Sequence, residues 1–167
     1  MKDYLLSALI VGVGATVAMD AWGIARKRLL GIAGANYALV GRWLGWMTRG
    51  RFRHESIASA TPVQHARLIG WTAHYLIGIL FAGVLLIACG SAWIDAPTIV
   101  PALLVGIGTV AAPFLLMQPG MGAGIAASRT ASPSAARVQS LITHAVFGVG
   151  LYGAGWIEKL AVSGFGA

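Results

Sequence analysis

Two histidines occupy matching positions in this chain. Arg67, His74 and Gly78 have the same spacing as Arg137, His144 and Gly148, an Arg-x6-His-x3-Gly pattern used twice. Both histidines fall in apolar stretches, where an ionisable side chain is expensive to insert and needs either a partner or a task. Asp20 is the third residue of this kind and the one ionisable group between Leu5 and Ile24. Neutral imidazole is a common ligand of metal ions and heme, and a nearby carboxylate can hold it in the ligating tautomer. Opposed on facing helices, His74 and His144 would suit bis-imidazole ligation of a b-type heme. Gly78 and Gly148, one turn further on, would leave room for a flat ligand, and Arg67 and Arg137 would meet its propionates. A transition-metal ion is the other cofactor of this chemistry, with His74, His144 and Asp20 as ligands and Met117 or Gln118 as a fourth. The same three residues could instead relay protons or ions. They could also only join helices, with Thr72, Ser140 and Thr143 as hydroxyl partners.

Elements that could hold such residues follow from composition. The 167 residues are 57% hydrophobic and 10% charged, with mean hydropathy +0.77, far from the roughly 25% charged residues of a soluble domain. That excess calls for a bilayer, and the length for one small domain. Runs of about the 20 residues a helix needs to cross a bilayer occur at Leu5–Ile24, Ile69–Cys89, Ile99–Met117 and Val138–Ile157. The first is closed by Arg26, Lys27 and Arg28. It reads as a permanent helix, since no small-residue cleavage site precedes that cluster. Eight Lys and Arg lie between spans one and two, none between two and three, and two between three and four. Basic loops stay cytoplasmic, so the expected topology is multi-pass with both termini outside the cytoplasm. The net charge of +7 flanks apolar spans, so anionic lipid headgroups are its counterpart and nucleic acid is not. One cysteine excludes an internal disulfide.

In the long first loop, Tyr37, Val40, Trp43, Leu44 and Met47 share one arc of a helix with Arg42 and Arg49 opposite. This predicts an interfacial amphipathic helix over about residues 37–48. The rest of the loop, with His54 and His65, is expected in solvent, although His54 beside Glu55 could join a site that folds back.

The halves also match in spans one and three, where Val11-Gly12-Val13-Gly14 is echoed by Val105-Gly106-Ile107-Gly108. The expected fold is therefore an all-α integral membrane protein of four spans, built as two parallel-repeat hairpins. Each histidine lies seven residues from its arginine, roughly 10 Å along a helix, and Asp20 lies at a similar depth, roughly 9 Å from Arg26. Pro113 should kink the third span. The glycine-rich run over residues 118–124 lacks the βαβ setting of a phosphate loop and reads as a tight turn or short re-entrant stretch. No paired-carboxylate, Ser-His-Asp, Walker or HExxH pattern is present, so an enzyme is not expected. Small-residue faces such as Gly148, Gly150, Gly153 and Gly155 suit the internal bundle, a homo-oligomer or a larger membrane complex.

The stretches Gly41-Arg42-Trp43, Arg49-Gly50-Arg51-Phe52-Arg53-His54, Gly70-Trp71-Thr72-Ala73-His74-Tyr75, Met117-Gln118-Pro119-Gly120 and His144-Ala145-Val146-Phe147-Gly148 together resemble the bacterial membrane family called domain of unknown function 2938. The resemblance covers nearly the whole chain. It implies a small four-span inner-membrane protein and brings no activity, cofactor or substrate with it.

Overall fold

Helix start and stop signals divide the apolar runs much as their chemistry dictates. The computed structural model describes residues 4–165, of which the backbone is overwhelmingly helical, with no strand among the described residues. Helix α1 (Tyr4–Leu30) carries Lys27 and Arg28 in its last turn, where cations complement the helix dipole. It stops at Gly31, whose φ of 67° is the left-handed conformation of a helix C-terminus. Helix α2 (Tyr37–Met47) is started by Asn36, whose side chain accepts from the Ala38 amide at 3.1 Å. Helix α3 (Ala66–Cys89) ends at Gly90, and the short α4 (Ser91–Asp95) leads to α5 (Ile99–Gly108). Beyond α5 the third span continues through a π-helical turn over Pro113–Met117 into α6 (Gln118–Met121). Proline has no amide hydrogen, and the wider turn accommodates that gap. Helix α7 (Pro133–Phe165) begins with a proline, which is at home in a first helical turn.

Four helical stretches, Tyr4–Leu30, Ala66–Cys89, Ile99–Met121 and Pro133–Ala161, are long and apolar enough to cross a membrane. The spans therefore run past the apolar cores read from sequence, and the last one takes in Glu158. Exposed Leu5, Leu80, Ile87, Leu104 and Leu160 cover their outer faces, as suits helices whose solvent is lipid.

The chain forms two compact units. The first comprises Met1–Ala33, Tyr75–Thr109 and Ile142–Ala167. Its core is Val11, Ala15, Leu85, Leu86, Ile94, Ala102 and Leu151, with Trp93 and Phe147. Close helix approach sets its geometry: a Cβ on Gly12 would lie 2.4 Å from the Ile79 Cα, and one on Gly106 would lie 2.4 Å from the Gly148 Cα. The glycines of the two Val-Gly motifs thus let α1 meet α3 and α5 meet α7 backbone to backbone. Dispersion contacts and small residues, rather than hydrophobic transfer, drive such association in lipid.

The second unit comprises Gly34–His74 and Val110–Leu141. It contains α2, the long loop after it, and the turn-rich stretch around α6. Helix α2 is present over the residues of the apolar arc, and its half-buried Arg42 turns back onto the chain. Its Nη1 donates to the carbonyls of Ile57, Ala58 and Ala60 at 3.2, 2.9 and 3.1 Å, holding the following loop in a fixed turn.

Candidate functional site

In the first unit, four ionisable residues of the spans, Asp20, Arg26, His144 and Glu158, each meet a hydroxyl from another helical stretch. Tyr75 on α3 donates to the Asp20 carboxylate at 3.0 Å. Arg26, expected in the basic stop after span one, is only 6% exposed. Its guanidinium donates to Thr143 Oγ1 at 3.4 Å and to the Ala33 carbonyl at 3.2 Å. Thr109 Oγ1 lies 2.9 Å from His144 Nδ1 and gives its own proton to the Gly106 carbonyl at 2.6 Å. This arrangement suits a proton on His144 Nδ1 given to the hydroxyl, with the lone pair on Nε2. Glu158, which falls just beyond the apolar core of span four, is buried with Ser7 of α1 donating to its carboxylate. Its burial was missed because an apolar window ends one residue too soon. The helix continues, and Glu158 packs on its inner face.

His74 belongs to the second unit. Its Nε2 lies 3.0 Å from the Tyr37 hydroxyl, its ring stacks on Tyr37, and Trp71 meets it edge-on. The space beside the glycines that follow the two histidines is filled by protein. A Cβ on Gly78 would meet Thr16 Oγ1 at 2.0 Å, and one on Gly148 would meet the Leu103 Cα at 3.0 Å. Arg67 and Arg137 are exposed, and Arg137 donates through Nε to the Ala126 carbonyl at 2.8 Å. Among the described residues, no three or more of His, Cys, Asp and Glu are grouped to hold a metal ion.

A different histidine stands out in the second unit. The loop after α2 folds back onto the glycine-rich turn. The His54 amide donates to the Gly120 carbonyl at 2.9 Å and the Ile57 amide to the Met121 carbonyl at 3.0 Å. Glycine is required on the turn side: a Cβ on Gly120 would strike the Trp43 indole at 2.6 Å. One on Gly122, which has φ of 97°, would lie 2.0 Å from the Glu55 carbonyl oxygen. Trp43 Nε1 in turn donates to the Phe52 carbonyl at 2.9 Å, and Trp46 Nε1 to the Thr61 carbonyl at 3.1 Å. This accounts for the run over 118–124, which is the seat of the loop.

Docked in this way, His54 is 6% exposed, and neither ring nitrogen has a hydrogen-bond partner. Buried polar groups are nearly always satisfied, and an orphaned one costs about 1–3 kcal/mol. The ring lies at the edge of a cleft of about 390 Å³ lined by Trp46, Arg51, Arg53, Glu55, Ser56 and Ser59, within the size range of small-ligand sites. His54 and Trp46 meet edge to face, centroids 6.0 Å apart, and the guanidinium groups of Arg49 and Arg51 lie 5.1 and 5.7 Å from the Trp46 centroid. Burial first, and the Arg51 charge second, hold His54 below the ordinary histidine value. The nearby Arg51 carbonyl acts the other way, without hydrogen-bond geometry.

A family profile described as Protein of unknown function (DUF2938) matches residues 9–158. The chain belongs to this family. Neither a curated protein nor a solved structure matches it. In this DUF2938 protein the matched region takes in the arginine-rich loop, the glycine seat and every polar residue of the four apolar helices described above except Ser7.

Proposed function

We propose that this membrane protein binds a phosphate-bearing anion in the cleft of residues 51–61, at the cytoplasmic headgroup level of the bilayer. The observation that carries the reading is His54, covered by its fold at the edge of the cleft yet left without a partner beside Arg51 and Arg53. Guanidinium groups and hydroxyls are the usual ligands of phosphate oxygens, and Ser56, Ser59 and Thr61 supply hydroxyls on the same cleft. The count of basic residues favours a cytoplasmic location for the loop, where anionic headgroups concentrate. Phe52, 56% exposed between Arg51 and Arg53, is the kind of apolar anchor that interfacial segments place among acyl chains.

Isothermal titration of the purified protein with inorganic phosphate, dihexanoyl phosphatidylglycerol and dihexanoyl phosphatidylcholine tests this. Binding of phosphatidylglycerol alone identifies a headgroup site, and binding of phosphate as well identifies a general phosphate site. Either should weaken about tenfold or more in Arg53→Ala, the scale of one lost charge-assisted hydrogen bond. If neither anion binds, or Arg53→Ala and His54→Ala bind as the parent does, the reading is wrong.

A second reading is favoured by the contact of His144 Nδ1 with Thr109. An imidazole whose Nδ1–H is given to a neighbour, with its lone pair on Nε2, is in the form that ligates heme or a transition metal. A Soret band or stoichiometric metal in the purified protein, lost in His144→Ala, would support it. The paired Gly12–Ile79 and Gly106–Gly148 contacts support reading the two hairpins as repeats.

A further inference from the structure

We propose that the cleft takes its anion together with a proton, which His54 accepts, so that an acceptor-only oxyanion such as a phosphodiester is bound tightest on the acid side of neutrality. This rests on the phosphate reading of the same cleft. The argument begins with what an imidazole can offer. A neutral ring has one N–H donor and one lone pair, whereas an imidazolium has two donors and no lone pair. The oxygens of a phosphodiester only accept. A neutral His54 meeting such a ligand would therefore give one hydrogen bond and turn a lone pair into an environment of further acceptors. With a proton added, both orphaned nitrogens become donors.

Electrostatics act in the same direction. The charged or titratable groups around the ring are few. Arg51, Arg53 and Glu55 flank it on its own loop. Helix α2 presents the uncharged Trp46 ring, with Arg49 beyond it, and its Arg42 is spent on the carbonyls of Ile57, Ala58 and Ala60. The seat under the His54 backbone, Gly120 and Met121, brings no titratable side chain. Without ligand, the imidazolium would face guanidinium charge in a dry setting and is disfavoured for both reasons. An anion seated between the ring and the arginines reverses the second effect and supplies the missing acceptors. Binding then raises the proton affinity of His54, and by linkage lower pH raises anion affinity. Between the proton affinities of the free and bound states, Kd should fall by up to about tenfold per pH unit as pH falls.

Dihexanoyl phosphatidylglycerol is the probe, because its diester charge does not change over the range used. Titrations of the full-length protein between pH 5.5 and 8, in two buffers of different ionisation enthalpy, count the protons taken up. Uptake approaching one per bound diester, with affinity rising as pH falls, is the expected result. His54→Gln should bind with a Kd independent of pH and no uptake. Ring-labelled histidine NMR of the parent provides an independent readout, a His54 signal that moves to the imidazolium position on ligand addition. Binding at every pH without proton uptake would overturn this inference and leave the phosphate reading standing. Absence of any binding would overturn both.

Discussion

Replacing Gly122 with alanine should undock the arginine loop while sparing the membrane helices. The added Cβ would lie 2.0 Å from the Glu55 carbonyl oxygen, and φ at this position is 97°. A side chain in left-handed backbone costs about 1–2 kcal/mol. Moving the loop away to relieve the clash also gives up the His54–Gly120 and Ile57–Met121 hydrogen bonds, each about 0.5–1.5 kcal/mol. Together these come to about 2–5 kcal/mol, a rise of roughly 30- to 4,000-fold in the undocked population at about 1.4 kcal/mol per decade. Hydrogen exchange in nanodiscs reads this directly, since the amides of His54 and Ile57 lose their acceptors when the loop leaves. Gly23→Ala is the control, because a Cβ there meets nothing within 4 Å. If His54 and Ile57 exchange as slowly in Gly122→Ala as in the parent, the glycine turn is not the seat of the loop.

Three further outcomes are expected. Arg42→Ala removes a donor shared by three carbonyls, so it should loosen the 57–60 turn by about 1.5–3 kcal/mol, read as faster tryptic cleavage after Arg51 and Arg53. Gly12→Ala drives a Cβ to 2.4 Å from the Ile79 Cα and should destabilise the α1–α3 contact by about 1–3 kcal/mol, whereas Gly108→Ala, with open space at its Cβ, should leave the melting temperature in detergent unchanged. Folding holds His54 below its unfolded value near 6.5, so the unfolded chain binds more protons as pH drops below that value. Stability of the ligand-free protein should therefore be full above about 6.5 and decline as pH falls towards the folded value, and His54→Gln should flatten that decline in denaturant titrations.

Hydropathy made the helical class and the rough extent of the four apolar helices legible, because twenty-residue apolar runs have few other solutions. The apolar arc from Tyr37 to Met47 also announced α2. What sequence could not show was partnership. Arg26 reads as a basic stop until Thr143, over a hundred residues away, is placed against it. His54 reads as a solvated loop histidine because Gly120 and Met121, which fix its backbone, lie in a different span. The run over 118–124 was the available signal. Three glycines at alternate positions, with no phosphate-loop context, mark a turn that something must approach closely, and Glu55 and Trp43 are what approach it. Glu158 escaped for a simpler reason, since hydropathy windows end where charge begins even when the helix carries that charge inward.

The ionisable residues of the spans and His54 differ in whether a side-chain hydrogen bond reaches them at all. Within the spans, Asp20 has Tyr75, Arg26 has Thr143, His144 has Thr109 and Glu158 has Ser7. Such pairs lessen the expense of placing ionisable groups in lipid, and they are sufficient to explain why those residues sit where they do. His54 has no such account. Its fold brings it under cover with two backbone hydrogen bonds nearby, a tryptophan edge and a glycine seat, then leaves its ring unsatisfied among guanidinium groups. Phenylalanine would fill the same space without an orphaned donor or acceptor, whereas an anion in the cleft would complete the histidine. The arginines beside it specify an anion, and the two nitrogens specify that the anion arrives with a proton.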